Sequence, residues 1–302
     1  MKTKLKTIIR AACHSFAGAV CTGAALLMTG NAPAQNLFEG DCNSGNIYEF
    51  TPGGAQSSFA SGLGTAVGLA FNSKGDLFVS LGNYSGSIIE ITPGGVVSTF
   101  ASGFNNPQGL AFNSEGDLFV ANAGGNDIIM FTPGEVRSTF ASGLDNPQGL
   151  AFNSAGDLFA TSGHNLIKIT PGGVQSTFAS GLAGPWGLAF NSAGDLFEAD
   201  MSTGNIYEFT PGGVQSTYAS GLGVAVGLAF DSAGDLFVSR GNYSGSIIEI
   251  TPGETQSTFA SGLDNPVGLA FQGETLPVPE PSALGLLAVG VPALLVRRRR
   301  KQ

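Results

Sequence analysis

The sequence predicts an all-β fold: a six-bladed β-propeller whose ring is closed by strands from both ends of its repeat array. Three observations carry this. A single unit recurs six times, the composition favours turns and short strands over helices, and the array begins and ends in mid-unit.

The repeat is read from two strings. Thr-Pro-Gly begins at Thr51, Thr92, Thr132, Thr170, Thr210 and Thr251, and Gly-Leu-Ala-Phe begins at Gly68, Gly109, Gly149, Gly187, Gly227 and Gly268. Both series step by 41, 40, 38, 40 and 41 residues. A fixed period of this size marks stacked supersecondary units.

Composition says which unit. The 302 residues hold 46 glycines and 22 phenylalanines, with 42% hydrophobic and only 12% charged residues. Exposed helix faces need Lys and Glu, whereas hairpins need Gly, Pro, Asn and Asp between short apolar runs. One unit shows four such runs: Gly109–Phe112, Leu118–Ala121, Asp127–Phe131 and Val136–Ala141. Asn113-Ser114-Glu115-Gly116-Asp117 and Thr132-Pro133-Gly134 turn the chain between them. Four strands in this length make a propeller blade.

The ends of the array select a ring over an open stack. Asn36-Leu37-Phe38-Glu39 aligns with Asp195-Leu196-Phe197-Glu198, so the first unit lacks its first strand. The leftover Gly268-Leu269-Ala270-Phe271 supplies it. Closure removes the two unpaired edges an open stack would expose. Residues 45–71 also closely match 204–230, and Gly82 to Gly94 matches Gly241 to Gly253, a step of four units that marks a segmental duplication.

Both ends outside the repeats read as addresses. Residues 1–34 have a basic start (Lys2, Lys4, Lys6, Arg10), a small and apolar middle and an Ala32-Pro33-Ala34 cleavage site, the layout of a signal peptide. Residues 35–275 form the propeller. In residues 276–302, Pro279-Glu280-Pro281 precedes an uncharged run and the cluster Arg297 to Lys301. Its fifteen apolar residues span roughly 22 Å as a helix, short of the roughly 30 Å hydrocarbon core. Snorkelling arginines would make up the difference and hold the basic end on the cytoplasmic side. This tail resembles the PEP-CTERM sorting signal of Gram-negative bacteria. The resemblance implies a temporary inner-membrane anchor, an exosortase-type sorting protease as partner, and delivery to the cell envelope, outer surface or exterior.

Charge excludes one class of partner. Between residues 35 and 280 only Lys74, Arg137, Lys168 and Arg240 stand against all 22 acids, a net of −18. Nucleic-acid binding needs a basic surface. The acidic exterior favours solubility and would attract divalent cations loosely. Cys42 is the only cysteine outside the leader, so no disulfide supports the fold.

The repeats resemble NHL-type propellers and, more loosely, the SMP-30/gluconolactonase and virginiamycin B lyase propellers. Asn106-Pro107-Gln108-Gly109-Leu110-Ala111-Phe112, Gly116 to Asn122 and Ile206 to Gly213 carry the likeness. The fold places the start of each first strand and the end of each second strand on one face around the central channel. The first of these rings reads Val67, Gln108, Gln148, Trp186, Val226, Val267, and the second Asp41, Leu81, Asn122, Ser162, Asp200, Arg240. The lactonase resemblance implies a divalent metal held by Glu, Asn and Asp in the first ring, where this chain has no carboxylate. The lyase resemblance implies a channel histidine, and the only one in the body is His164, in a loop. The Gly-Asp series (Asp76, Asp117, Asp157, Asp195, Asp235) is turn chemistry.

The candidate ligand-binding set is therefore Asp41, Asn122, Asp200 and Arg240, with Gln108, Gln148 and Trp186. No catalytic residue, metal ligand set or cofactor is assigned. The expected function is non-catalytic binding or scaffolding, with protein or polysaccharide as ligand. The alternative is a metal-dependent lactonase or hydrolase using Asp41, Asp200 and Asn122.

Overall fold

The computed structural model describes residues 35–82, 86–241 and 245–273. The leader (1–34), the tail with Pro279, Glu280 and Pro281, and the residue pairs Asn83/Asn242 and Tyr84/Tyr243 lie outside the described residues.

Within them the chain forms six four-stranded antiparallel sheets. Blade 1 has Pro266–Phe271 innermost, followed outward by Leu37–Asp41, Asn46–Phe50 and Gln56–Ala60. Its inner pair joins the two ends of the array in the register Leu37↔Phe271, Phe38↔Ala270, Glu39↔Leu269. Blades 2 to 6 follow in chain order over residues 66–101, 107–142, 150–180, 185–219 and 225–263. Inner strands contact one another in sequence around the ring, the last (Ala225–Phe230) meeting Pro266–Phe271 of blade 1. The ring is six-bladed and closed by strands from both termini, as the repeat ends predicted.

Alternation along each strand sends side chains into two different seams. In blade 2, Leu77 and Val79 face blade 1, where they pack with Phe38, Ile47 and Ala60. Phe78 faces blade 3 and joins Leu110, Leu118 and Val120. The apolar core is thus divided among six seams rather than gathered in one centre.

Each seam is built around a second-strand aromatic. Phe38 packs edge-to-face on Phe59 of its own outer strand and on Phe71 of the next blade, both at 5.0 Å. The pattern repeats with Phe78, Phe119, Phe159 and Phe197, and ends with Phe237 on Phe259 and on Phe271 of blade 1, at 5.0 and 5.1 Å. Edge-to-face pairs add about 0.5–1.5 kcal/mol each beyond area burial. The high phenylalanine content is this repeated aromatic latch.

The turns close as their residue types dictate. Asn113 Oδ1 accepts from the amides of Glu115 (3.0 Å) and Asp117 (2.8 Å), while its Nδ2 donates to Asp117 Oδ2 at 2.8 Å. Asn72 and Asn153 do the same. The repeated Gly-Asp aspartates hold hairpins.

One feature departs from the sequence reading. Five of the six inner strands begin earlier than Gly-Leu-Ala-Phe and carry a bulge, blade 4 (Leu150–Phe152) being the exception: Pro107 pairs with Asn122 and Leu110 with Val120, three residues against two. The same shift falls between Ala66 and Leu69, Pro185 and Leu188, and Ala225 and Leu228. A bulge re-aims the chain, and here it turns the glycine toward the neighbouring blade.

Candidate functional site

The six glycines of the Gly-Leu-Ala-Phe strings set the width of the channel. A Cβ on Gly68 would overlap the Gln108 carbonyl oxygen, and one on Gly109 the Gln148 oxygen. Gly149 meets Trp186 O, Gly187 meets Val226 O, Gly227 meets Val267 O, and Gly268 returns to Val67 O. The six contacts form a closed cycle of backbone on backbone. Gly109 N–H donates directly to Gln148 O at 2.8 Å. In blades 2 and 6 a serine bridges instead: Gly227 N–H donates to Ser239 Oγ (2.7 Å), which donates to Val267 O (2.8 Å). Ser80 makes the matching relay from Gly68 to Gln108 O.

The channel left inside this belt is about 80 Å³, lined by the glycines and by Leu69, Leu110, Leu150, Leu188, Leu228 and Leu269. That volume is a few waters at most. At its mouth Val67, Val226 and Val267 are buried together with Trp186, Cys42 and Val224 packed on them.

Of the candidate residues, Gln148 and Trp186 line this channel. Gln108 is buried, its Nε2 donating to Asn106 Oδ1 at 2.9 Å. The second-ring residues are engaged elsewhere. Asp200, fully buried, accepts from Ala183 N (2.9 Å) and Gly184 N (3.1 Å) on one oxygen and from Ser202 N (3.0 Å) and Thr203 N (2.9 Å) on the other. Burial pushes its carboxyl up, but the donors more than offset this, and its pKa lies below the usual aspartate value. Asp41 accepts from Ser44 N (3.0 Å) and Asp264 N (2.7 Å). Asn122 accepts from Asn105 N (2.7 Å) and donates to Asp127 (2.7 Å), and Ser162 accepts from Asp145 N (2.8 Å). Each ties the loop entering its own blade's inner strand to the end of the second strand. Arg240 lies beside Gly223 with its Nε buried and unpartnered. Gln148 and Trp186 thus line a narrow apolar channel, Asp41, Asn122 and Asp200 are loop clamps, Gln108 and Arg240 belong to neither group, and the seven do not converge on one polar pocket.

His164 Nδ1 lies 2.9 Å from the Leu182 carbonyl oxygen. Among the described residues no three of His, Cys, Asp and Glu group as metal ligands. A second cleft, of about 280 Å³, lies in the outer part of the blade 4–blade 5 seam, between Lys168, Ser176, Phe178 and the Thr210-Pro211-Gly212-Gly213 turn. Lys168 there is held by Asp157 at 2.8 Å.

Two buried groups escaped the sequence reading. Glu39 and Glu198 occupy the same position in blades 1 and 5, both with no exposed surface. Alignment with Val79, Val120, Ala160 and Val238 in the other blades was the available signal.

No protein-family model and no curated protein matches the chain. Solved structures do. Virginiamycin B lyase from Staphylococcus aureus matches at TM-score 0.61 and 16% identity, over 81% of this chain and 91% of that one. A structure assigned to the gluconolactonases matches at 0.59 and 16%, over 68% and 84%. A protein of unknown function from Bacteroides caccae matches at 0.64 and 14%, over 80% and 100%. The chain is a six-bladed β-propeller similar in fold to the lyase and gluconolactonase propellers, and at these identities the likeness defines the fold alone.

Proposed function

We propose that this chain is an exported, non-catalytic binding or scaffold propeller of the cell envelope or extracellular matrix, which engages protein or polysaccharide through its outer surface. The observation that carries the reading is the glycine–carbonyl belt. It leaves a channel of about 80 Å³, too small to enclose a sugar lactone, with valines and Trp186 at its mouth. The acids a hydrolase would need near that mouth, Asp41 and Asp200, already accept backbone amides.

Export and sorting rest on the terminal sequences: the leader, and the tail bearing Pro279-Glu280-Pro281, which an exosortase-type protease would remove after transient inner-membrane anchoring. The rival reading, a metal-dependent lactonase, draws on the fold likeness only.

The test combines three measurements on protein from its native host. A glycan array and a pull-down are expected to yield a ligand, lactone hydrolysis to be at background, and intact mass to show loss of residues beyond the Pro-Glu-Pro motif. A stoichiometric tightly bound dication, with lactone hydrolysis above background that is lost when the metal is chelated, overturns the non-catalytic reading. Retention of Arg297 to Gln302 overturns the sorting.

A further inference from the structure

Glu39 and Glu198 lie in the seams between blades 6 and 1 and between blades 4 and 5. Both side chains are fully buried, and among the described residues none of their four carboxyl oxygens has a hydrogen-bond partner. A buried carboxylate without partners is among the costliest groups a fold can hold, so such a group stays neutral. Four of the six blades avoid the problem with Val or Ala at this position.

Among the described residues, no unpaired cation faces either group. Glu39 is cross-strand to Leu269 and Tyr48, and its seam is filled by Leu37, Phe237, Ile247 and Leu263. Asp41 and Cys42 follow it on its own blade, while Glu249, cross-strand to Phe237, and Asp235 stand at the turn end of blade 6. Of these, only Asp41 acts on it appreciably, and repulsively. Glu198 is cross-strand to Leu188 and Tyr207, facing Phe159, Leu166 and Leu182 of blade 4. The cation on that facing side, Lys168, is cross-strand to Phe159 and paired with Asp157. Asp200 beside Glu198 adds repulsion, and the Trp186 backbone acts in the opposite sense, without hydrogen-bond geometry to either oxygen.

We propose that Glu39 and Glu198 are proton-held locks: protonated, they let the two seams close as apolar interfaces, and ionised, they force those seams apart. The two seams flank blades 5 and 6, and one of them borders the blade that closes the ring. The propeller is therefore a pH-sensitive clasp, tightest in acid and loosened as pH rises.

The sign follows from linkage. Burial first, then Asp200, pushes Glu198 up to about 9 from its ordinary 4.5, and burial first, then Asp41, lifts Glu39 well above the same value. Between those limits the unfolded chain has released the proton and the folded chain has not, so stability is complete below about 4.5 and falls as pH climbs. For Glu198 alone the unfolding constant at pH 7 rises roughly 300-fold above its acid limit, about 3 kcal/mol.

The experiment is urea unfolding of the full chain from pH 5 to 8.5, for wild type, Glu39→Gln, Glu198→Gln and the double variant. Gln keeps the shape and cannot ionise. The expected result is a wild-type midpoint that falls with pH, a flatter profile in each single variant and the flattest in the double. Parallel profiles for wild type and double variant overturn the proposal. Infrared spectra at pH 7 decide the matter even if a variant does not fold. A protonated-carboxyl C=O stretch in the wild type supports the locks, and its absence overturns them.

Discussion

Gly227→Ala puts the glycine–carbonyl belt to its most direct test. The backbone at Gly227 is not in the left-handed region, so alanine brings no conformational penalty of its own. What it brings is a methyl group placed on the Val267 carbonyl oxygen and 2.8 Å from Ser239 Oγ. Val267 belongs to the C-terminal strand that completes blade 1, so relieving the overlap pushes the closing strand outward. Overpacking of this kind costs about 1–3 kcal/mol. The displacement also breaks the relay from Gly227 N–H through Ser239 Oγ to Val267 O, two hydrogen bonds worth about 0.5–1.5 kcal/mol each. The sum is about 2–6 kcal/mol, which lowers Tm by roughly 4–24 °C for a domain of this size. Gly53→Ala is the control, since no heavy atom lies within 4 Å of its Cβ position and its φ is ordinary. It is expected within about 0.5 kcal/mol of wild type. Calorimetry reads both, and a Gly227→Ala protein that melts with Gly53→Ala refutes the belt as the element that sets channel width.

Two further outcomes follow from the loop clamps. Asp200→Ala leaves four backbone amides without their acceptor and is expected to cost about 3 kcal/mol or more, whereas Ser162→Ala, which frees one, costs about 1 kcal/mol. Denaturant midpoints compare the two, and equal losses would contradict the clamp role. Because Asp200 is held below its ordinary value of 3.8, its stabilisation is present above that pH and is lost as pH falls through the lower folded value. An Asp200→Asn variant should therefore show a weaker acid limb below pH 4 than wild type.

Much of the fold was legible because the repeat made each blade a witness for the others. The strand-two runs, the Asn-Ser-x-Gly-Asp hairpins and the split first unit all emerge where the sequence places them, since each depends on local turn chemistry and period-two alternation. The bulge at five of the six inner strands did not announce itself. Its cause is a contact between blades: Gly109 is driven toward Gln148 O by the neighbouring strand, and no property of Asn-Pro-Gln-Gly alone demands it. The glycine of Gly-Leu-Ala-Phe was visible six times, but its reason lies about 40 residues away in the next unit.

The second-ring positions have a structural use as well. Asp41, Asn122, Ser162 and Asp200 share a position, and a polar ring beside a propeller channel suggests ligands. Yet the same position is also where the second strand ends and the loop into the inner strand must be fastened, and short acceptors fasten backbone amides. Four of the six positions vary in charge while keeping an acceptor, with Leu81 and Arg240 at the other two, and this fits fastening better than metal binding, which demands converging carboxylates. The informative exceptions lie two residues earlier, where Glu39 and Glu198 replace Val or Ala in an otherwise apolar column. A charge-bearing residue at a core position of a repeat has no turn or clamp to make. Its explanation has to come from protonation, which is why the pH dependence of the two seams, rather than the channel mouth, is where this propeller's chemistry should be sought.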